Sequence, residues 1–324
     1  LKSPLWGKIV LIIALAVAFY FVMVLLSDVR EVQNAFREFQ WAYLLPVIAL
    51  VLLNYFVRAE RWHSYLNRIN LALPRKKSYW LFLSGLSMSI TPWKAGEALK
   101  ALLLKIEKAA PLERGFALVF AERMSDLTGM ILLIAIGSFA IAYGLLSFAI
   151  IVLLVAVIIL IVSSERLSRR IVSWMKSKKR LQRFGALLQT VLKDARQLLT
   201  GRNLLQGTGY AAIAWAAECV AFFLILIGCG VEIGLLECIF IYAFSSVIGA
   251  ISMLPGGMGT TEATMLGLLI ALSVSASVAS FAVILTRIFT LWFAVVIGLI
   301  FLVIYSRHCK NMGKGSLFGQ PLAS

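Results

Sequence analysis

Apolar runs of about 17 residues or more recur along this chain, each long enough for an α-helix to cross the hydrocarbon of a bilayer. They lie at residues 7–26, 41–57, 111–142, 144–162, 204–228 and 281–305. Of the 324 residues, 61% are hydrophobic and 14% are charged. A soluble domain is nearer to about half apolar and about a quarter charged. The excess comes in blocks, which is the pattern of membrane-spanning helices rather than of a soluble core. The chain reads as an all-α polytopic membrane protein.

Charge supports the same reading. Lys and Arg number 31 against 15 Asp and Glu, a net +16. Such a balance suits nucleic acid or an anionic membrane surface. The basic residues fall in short segments between apolar blocks, which selects the membrane and makes membrane lipids, not nucleic acid, the expected partner. Cys219, Cys229, Cys238 and Cys309 have no paired spacing and read as small packing residues. His63 and His308 lie far apart in sequence, so no metal site and no cofactor is expected. The run at 7–26 is too long for a signal-peptide core, has no small-residue cleavage site before Asp28, and reads as a retained span. The polar stretch 310–324 is expected to be a flexible tail on a single transmembrane domain covering 1–309.

Two further apolar blocks are broken in the middle. The block at 79–108 is interrupted by Thr91-Pro92-Trp93-Lys94-Ala95-Gly96-Glu97, and that at 235–272 by Leu254-Pro255-Gly256-Gly257-Met258-Gly259. Neither half of the first block reaches a full crossing. Pro removes a backbone donor and Gly loosens the chain, so each block reads as a re-entrant hairpin. Such breaks survive at depth only where protein or a wet cavity surrounds them. With the N-terminus cytoplasmic and both blocks re-entrant, the basic segments 58–78 and 163–203 and the basic C-terminus share one side. The segments 27–40 and 229–237 fall on the other, which satisfies the positive-inside rule. The expectation is six spans plus two hairpins in a cell membrane, with both termini cytoplasmic. The segment 163–203 carries apolar residues at roughly helical spacing among many Lys and Arg. It reads as amphipathic helix, either on the membrane surface or as a cytosolic linker.

The broken blocks resemble one another. Ser89-Ile90-Thr91-Pro92, Gly96 and Glu97 find counterparts in Ser252-Met253-Leu254-Pro255, Gly259 and Glu262. Each is followed by a helix carrying an arginine: Pro92 precedes Arg123 by 31 residues, and Pro255 precedes Arg287 by 32. The two hairpins would enter from opposite sides, making an inverted repeat, and paired interrupted segments are the sequence pointer to a transporter's binding site.

Glu122, Arg123 and Asp126 lie about 15–20 Å along a long apolar helix, near mid-depth, at spacings that share a face. Intramembrane charges cost several kcal/mol unless paired or hydrated. They read either as a structural ion pair or as a polar pocket for a lipid head group or a proton. Arg287 has no carboxylate three or four residues on and requires an anion from Glu262, Asp126 or a ligand phosphate. Lys94, Glu97 and Lys100 flank the first break. Helices starting after Pro92 and Gly259 would aim amide donors at an anion. Gly256, Gly257 and Gly259 either permit close backbone approach to a ligand or simply form a tight turn. Arg58 and Arg61, with Trp62, end the second span and read first as snorkelling anchors.

Taken together, Arg61-Trp62 after the second span, Thr91-Pro92 with Gly96-Glu97, Glu122-Arg123 with Asp126, Leu254 through Gly259 with Glu262, and Arg287 with Trp292 resemble a known family. It is the transmembrane region of lysylphosphatidylglycerol synthases, the flippase region of the multiple peptide resistance factor. The resemblance runs over about residues 5–306 and fits a stand-alone member. It implies translocation of a phosphate-bearing lipid between leaflets: a phospholipid, aminoacyl-phosphatidylglycerol or a polyprenyl phosphate. Arg61, Pro92, Lys94, Gly96, Glu97, Glu122, Arg123, Asp126, Pro255, Gly256, Gly257, Gly259, Glu262 and Arg287 are the candidate lipid-binding residues. Fused relatives carry a soluble domain that aminoacylates phosphatidylglycerol; no block of this sequence is long enough for it, so synthase activity is not expected. The alternative is a membrane-embedded enzyme or scaffold in lipid or lipid-linked glycan modification. A separate lipid-modifying enzyme and a second copy of the chain are the protein partners compatible with these readings.

Overall fold

The computed structural model describes residues 29–71, 73–91, 98–107, 109–141 and 182–311, with isolated positions between 146 and 177. The expected span at 7–26, nearly all of that at 144–162, and residues 312–324 lie outside the described residues. So do Pro92, Lys94, Gly96 and Glu97 of the first break.

Every regular element among the described residues is helical. In chain order they are α1 (Val29–Glu38), α2 (Leu44–Arg68), α3 (Arg75–Leu86), α4 (Ala98–Ile106) and α5 (Leu112–Gly137). There follow α6 (Gln182–Leu198), α7 (Gly201–Gly228), α8 (Leu235–Ile251), α9 (Thr260–Ala271), α10 (Ala276–Arg287) and α11 (Phe293–Asn311). Three continuous helical stretches are long and apolar enough to cross a membrane: Trp41–Arg68, Gly201–Gly228 and Ala276–Arg307. Helix α5 has 26 residues, and its apolar course is broken by Glu122, Arg123 and Asp126. It begins directly after Pro111, whose missing amide costs nothing at a helix start. It ends in the single turn Ser138–Ala140 rather than running to residue 142.

The second broken block resolves as α8, a short turn at Pro255–Gly257, and α9. Met253, Gly256, Gly257 and Gly259 all take positive φ, between 57° and 89°. That backbone path is the reason for three glycines within four residues, since only glycine enters the left-handed region without a steric penalty. Helices α10 and α11 are joined by a π-turn at Ile288–Trp292, immediately after Arg287. Helix α11 continues to Asn311, past the point where the flexible tail was expected to start.

Helices α2 and α7 pair at the centre, where Asn54 Nδ2 donates to the Ala214 carbonyl at 2.8 Å. Around them α3 packs on α11 and α8 packs on α5, while α4 and α9 pack on α5 and α10. Glycine lets these contacts close: a Cβ on Gly137 would stand 2.6 Å from Phe240 N, and one on Gly298 would overlie Ser87 N. Large apolar side chains such as Leu45, Leu52, Phe56, Ile213, Leu299 and Ile300 point outward, as a lipid-facing belt requires. Helix α6, from the basic segment, packs on α5, with Leu192, Ala195 and Leu198 buried and Arg114 Nε 2.9 Å from Asp194 Oδ2.

Candidate functional site

The buried stripe of α2 runs Val47, Val51, Asn54, Arg58, Arg61, Tyr65, a three-and-four spacing that keeps all six on one face. Arg58 and Arg61 are therefore not snorkelling anchors. Arg61 is wholly buried and Arg58 is 9% exposed, because their face of the helix is the one turned toward α5 and α7. Arg61 Nη2 lies 2.7 Å from Asp126 Oδ1 and 3.5 Å from Glu122 Oε1. Arg58 stands further back, 3.9 Å from Glu122 and 4.0 Å from Asp126.

Helix α5 contributes Glu122, Arg123 and Asp126, with Arg123 Nη2 2.9 Å from Asp126 Oδ2. Helix α4 contributes Lys100, whose ammonium is 2.5 Å from Glu122 Oε2. The Lys100 stem lies against Gly85 of α3, where any larger residue would collide with it. Aromatic rings wall the group. Lys100 Nζ sits 5.0 Å from the Trp62 ring centre and 4.9 Å from that of Phe82. The Arg58 guanidinium lies 5.6 Å from the Trp215 ring. Trp215 also donates to Asp126 Oδ1 at 3.1 Å, and the Tyr65 hydroxyl bonds the Ser125 hydroxyl.

Among the described residues this centre holds four cations, Arg58, Arg61, Lys100 and Arg123, and two carboxylates, Glu122 and Asp126. Arg58 Nε, Arg61 Nε, Arg61 Nη1 and Trp62 Nε1 are buried without a hydrogen-bond partner among those residues. Unused planar guanidinium donors beside the described cations are the chemistry that receives a phosphate. Arg123, its side chain 21% exposed, is the most open member.

The second centre is built differently. Arg287 Nε lies 2.7 Å from Glu262 Oε1, and Arg287 Nη2 donates to the Gly256 carbonyl at 2.6 Å. Glu262 Oε2 accepts from Gly259 N at 2.8 Å, closing the start of α9 on itself. The anion that Arg287 required is thus Glu262. Part of the donor set expected at the α9 N-terminus is already used by the same carboxylate. Gly257 approaches Gly249 and Thr261 closely, and Thr260 bonds Ser252 and the Gly257 carbonyl, so the glycines serve the tight turn.

The structure brings Arg61, Glu122, Arg123 and Asp126 together, and separately Pro255, Gly256, Gly257, Gly259, Glu262 and Arg287. Sequence reasoning left Arg58, Lys100, Trp215 and Glu218 out of the candidate set. Their signal was periodicity. Arg58 continues the apolar stripe of α2, and Glu218 falls in line with the buried Gly207, Ala211, Ala214, Phe222 and Ile225 of α7. No group of three or more His, Cys, Asp or Glu side chains is arranged to hold a metal among the described residues.

Comparison with known proteins adds a lineage. Residues 10–298 match the family described as the lysylphosphatidylglycerol synthase TM region. A UPF0104 membrane protein of Methanothermobacter thermautotrophicus is 24% identical over 313 residues, covering 89% of this chain and 93% of the relative. Another of that name from Pyrococcus horikoshii is 22% identical over 284 residues, covering 79% and 85%.

Proposed function

We propose, from the premise that this chain belongs to the lysylphosphatidylglycerol synthase transmembrane family, that it moves a phosphate-bearing lipid between membrane leaflets. The observation that carries this reading is the buried centre of four cations and two carboxylates, with arginine donors left unused among the described residues. An intramembrane surplus of positive charge is costly, and an entering phosphate offsets it. The head group, of phospholipid, aminoacyl-phosphatidylglycerol or polyprenyl-phosphate type, would sit against Arg58, Arg61 and Arg123 while the acyl chains stay in the bilayer. Arg287, matched by Glu262, would hold the second hairpin rather than the phosphate.

The reading includes a topology of six spans and two re-entrant hairpins in an inverted repeat, in a cell membrane with both termini cytoplasmic. Supporting it are the one-sided basic segments and the packing of α3 on α11 and α8 on α5. It makes the chain a carrier rather than an enzyme. Its partners are anionic lipids, with a separate lipid-modifying enzyme or a second copy of the chain as protein partners.

The test is transbilayer movement of fluorescent phosphatidylglycerol in proteoliposomes, read by quenching from outside. Arg58→Gln removes one cation whose contacts are long, so the fold is retained. A lost charge-assisted contact of about 1.5–3 kcal/mol predicts movement slowed about 10- to 100-fold. Equal rates in folded wild type and variant would sink the reading.

A further inference from the structure

Four carboxyl groups are buried in the described core: Glu122, Asp126, Glu218 and Glu262. Three of them have a cation within 2.5–2.7 Å: Lys100 on Glu122, Arg61 on Asp126 and Arg287 on Glu262. Glu218, 4% exposed and in the middle of α7, has none within ion-pair distance among the described residues. Its hydrogen-bond partner among the described residues is the hydroxyl of Tyr242 on α8, which donates to Oε2 at 2.5 Å. A buried carboxylate with a phenol donor and no cation in contact among the described residues is poorly compensated, and such a group is functional by default.

Its position joins the two centres. One turn before it, Trp215 donates to Asp126 of the first centre. Arg58 of that centre and Arg287 of the second both act on Glu218 electrostatically. Thr290 Oγ1, in the π-turn, donates to the Thr286 carbonyl, beside Arg287. Tyr242 from α8 is in direct contact with Glu218, while Tyr55 and Arg58 from α2, Asp126 from α5 and Arg287 act on it or feel it through their charge, with Cys219 adjacent on its own helix.

We propose that Glu218 is a proton-binding site linked to anion occupancy of the first centre, so that the protein takes up a proton as an anionic lipid head group binds. The inference rests on the lipid-carrier reading and supplies its coupling ion. With the first centre empty, Arg58 and the Tyr242 hydroxyl, which donates to the carboxylate, favour ionised Glu218. A bound phosphate offsets the charge of Arg58, and the neutral acid becomes the stable form. Linkage makes the effect reciprocal: protonating Glu218 tightens anion binding, and losing the proton weakens it. No bond other than O–H forms or breaks, and the proton comes from water through whichever side is open.

Infrared difference spectroscopy on the full chain in phosphatidylcholine nanodiscs tests this. Adding phosphatidylglycerol should raise a carboxylic-acid C=O band in wild type, and Glu218→Gln should lack it. Tyr242→Phe keeps the carboxyl but removes the donor that favours its charged form. The same band should then persist to a higher pH than in wild type. An identical band in Glu218→Gln, or a band indifferent to both phosphatidylglycerol and Tyr242→Phe, overturns the proposal. If a Glu218-dependent band answers phosphatidylglycerol while wild type moves none of it between leaflets, the carrier reading falls and the proton site stands.

Discussion

Replacing Arg287 by Met would leave Glu262, wholly buried, without the guanidinium 2.7 Å away, and the Gly256 carbonyl without its donor at 2.6 Å. A buried charge stripped of its partner costs about 3–5 kcal/mol. The orphaned carbonyl adds about 1 kcal/mol, and partners found in the unfolded membrane state subtract a similar amount. The net expectation for Arg287→Met is about 3–5 kcal/mol. Glu262→Gln should cost about 2–3 kcal/mol, because the amide still accepts from Gly259 N while Arg287 loses its counter-charge. In the double variant no charge is stranded, and the loss should fall to about 1–2 kcal/mol. The cycle thus predicts a coupling of about 3–7 kcal/mol between the two side chains. Reversible unfolding in mixed detergent or by steric trapping in bicelles measures all four corners. Single losses that add to within about 0.5 kcal/mol would refute the claim that the pair neutralises itself in the folded protein.

Two other expectations follow from packing and topology. Gly298→Ala should destabilise by about 1–2 kcal/mol, since its Cβ would overlie Ser87 N, whereas Gly267→Ala, with open space around it, should be neutral or stabilising by up to about 1 kcal/mol; equal effects in thermal unfolding would contradict the α3–α11 contact. In vesicles, with native cysteines replaced, Ser273→Cys should react with an impermeant maleimide from the face opposite to that labelling Asn70→Cys, and labelling of both from one face would exclude a re-entrant second hairpin.

Much of the architecture was legible because lipid leaves few ways to satisfy a backbone. Run length located the three long apolar stretches, and Pro255 with its glycines located the break between α8 and α9. The partner of Arg287 was legible only as a choice among three anions, because a contact across 25 residues depends on how α9 and α10 fold back. The orientation of Arg58 and Arg61 was misread for a physical reason. Charge near the end of a hydrophobic run usually seeks water, and that rule overrode the periodicity of Val47, Val51 and Asn54, which turns both arginines inward. Lys100 was legible only as a residue flanking the first break, not as a partner of Glu122 on α5, and Glu218 was hidden by being a single acid in an apolar run with no neighbour in sequence to pair with.

The two centres answer the same problem, a deep arginine beside a broken helix, with opposite charge balance. At Arg287 the counter-charge comes from within its own hairpin unit, through Glu262, which also closes the α9 N-terminus onto itself. At Arg123 the carboxylates Glu122 and Asp126 are shared with Arg58, Arg61 and Lys100 from two other helices, and the described cations outnumber them. A neutral, self-capped unit gains nothing by admitting an anion, whereas a shared and oversubscribed one does. Under the carrier reading, only one half of the pseudo-symmetric pair then offers a charge site for phosphate, and the other offers a hinge or a lock. Exchanging that balance would separate likeness of fold from likeness of role. Glu262→Gln removes a counter-charge from Arg287 at the second break, so it should create a second, weaker phosphatidylglycerol site without restoring movement to Arg58→Gln. Restoration would mean that the halves are interchangeable in function as well as in packing.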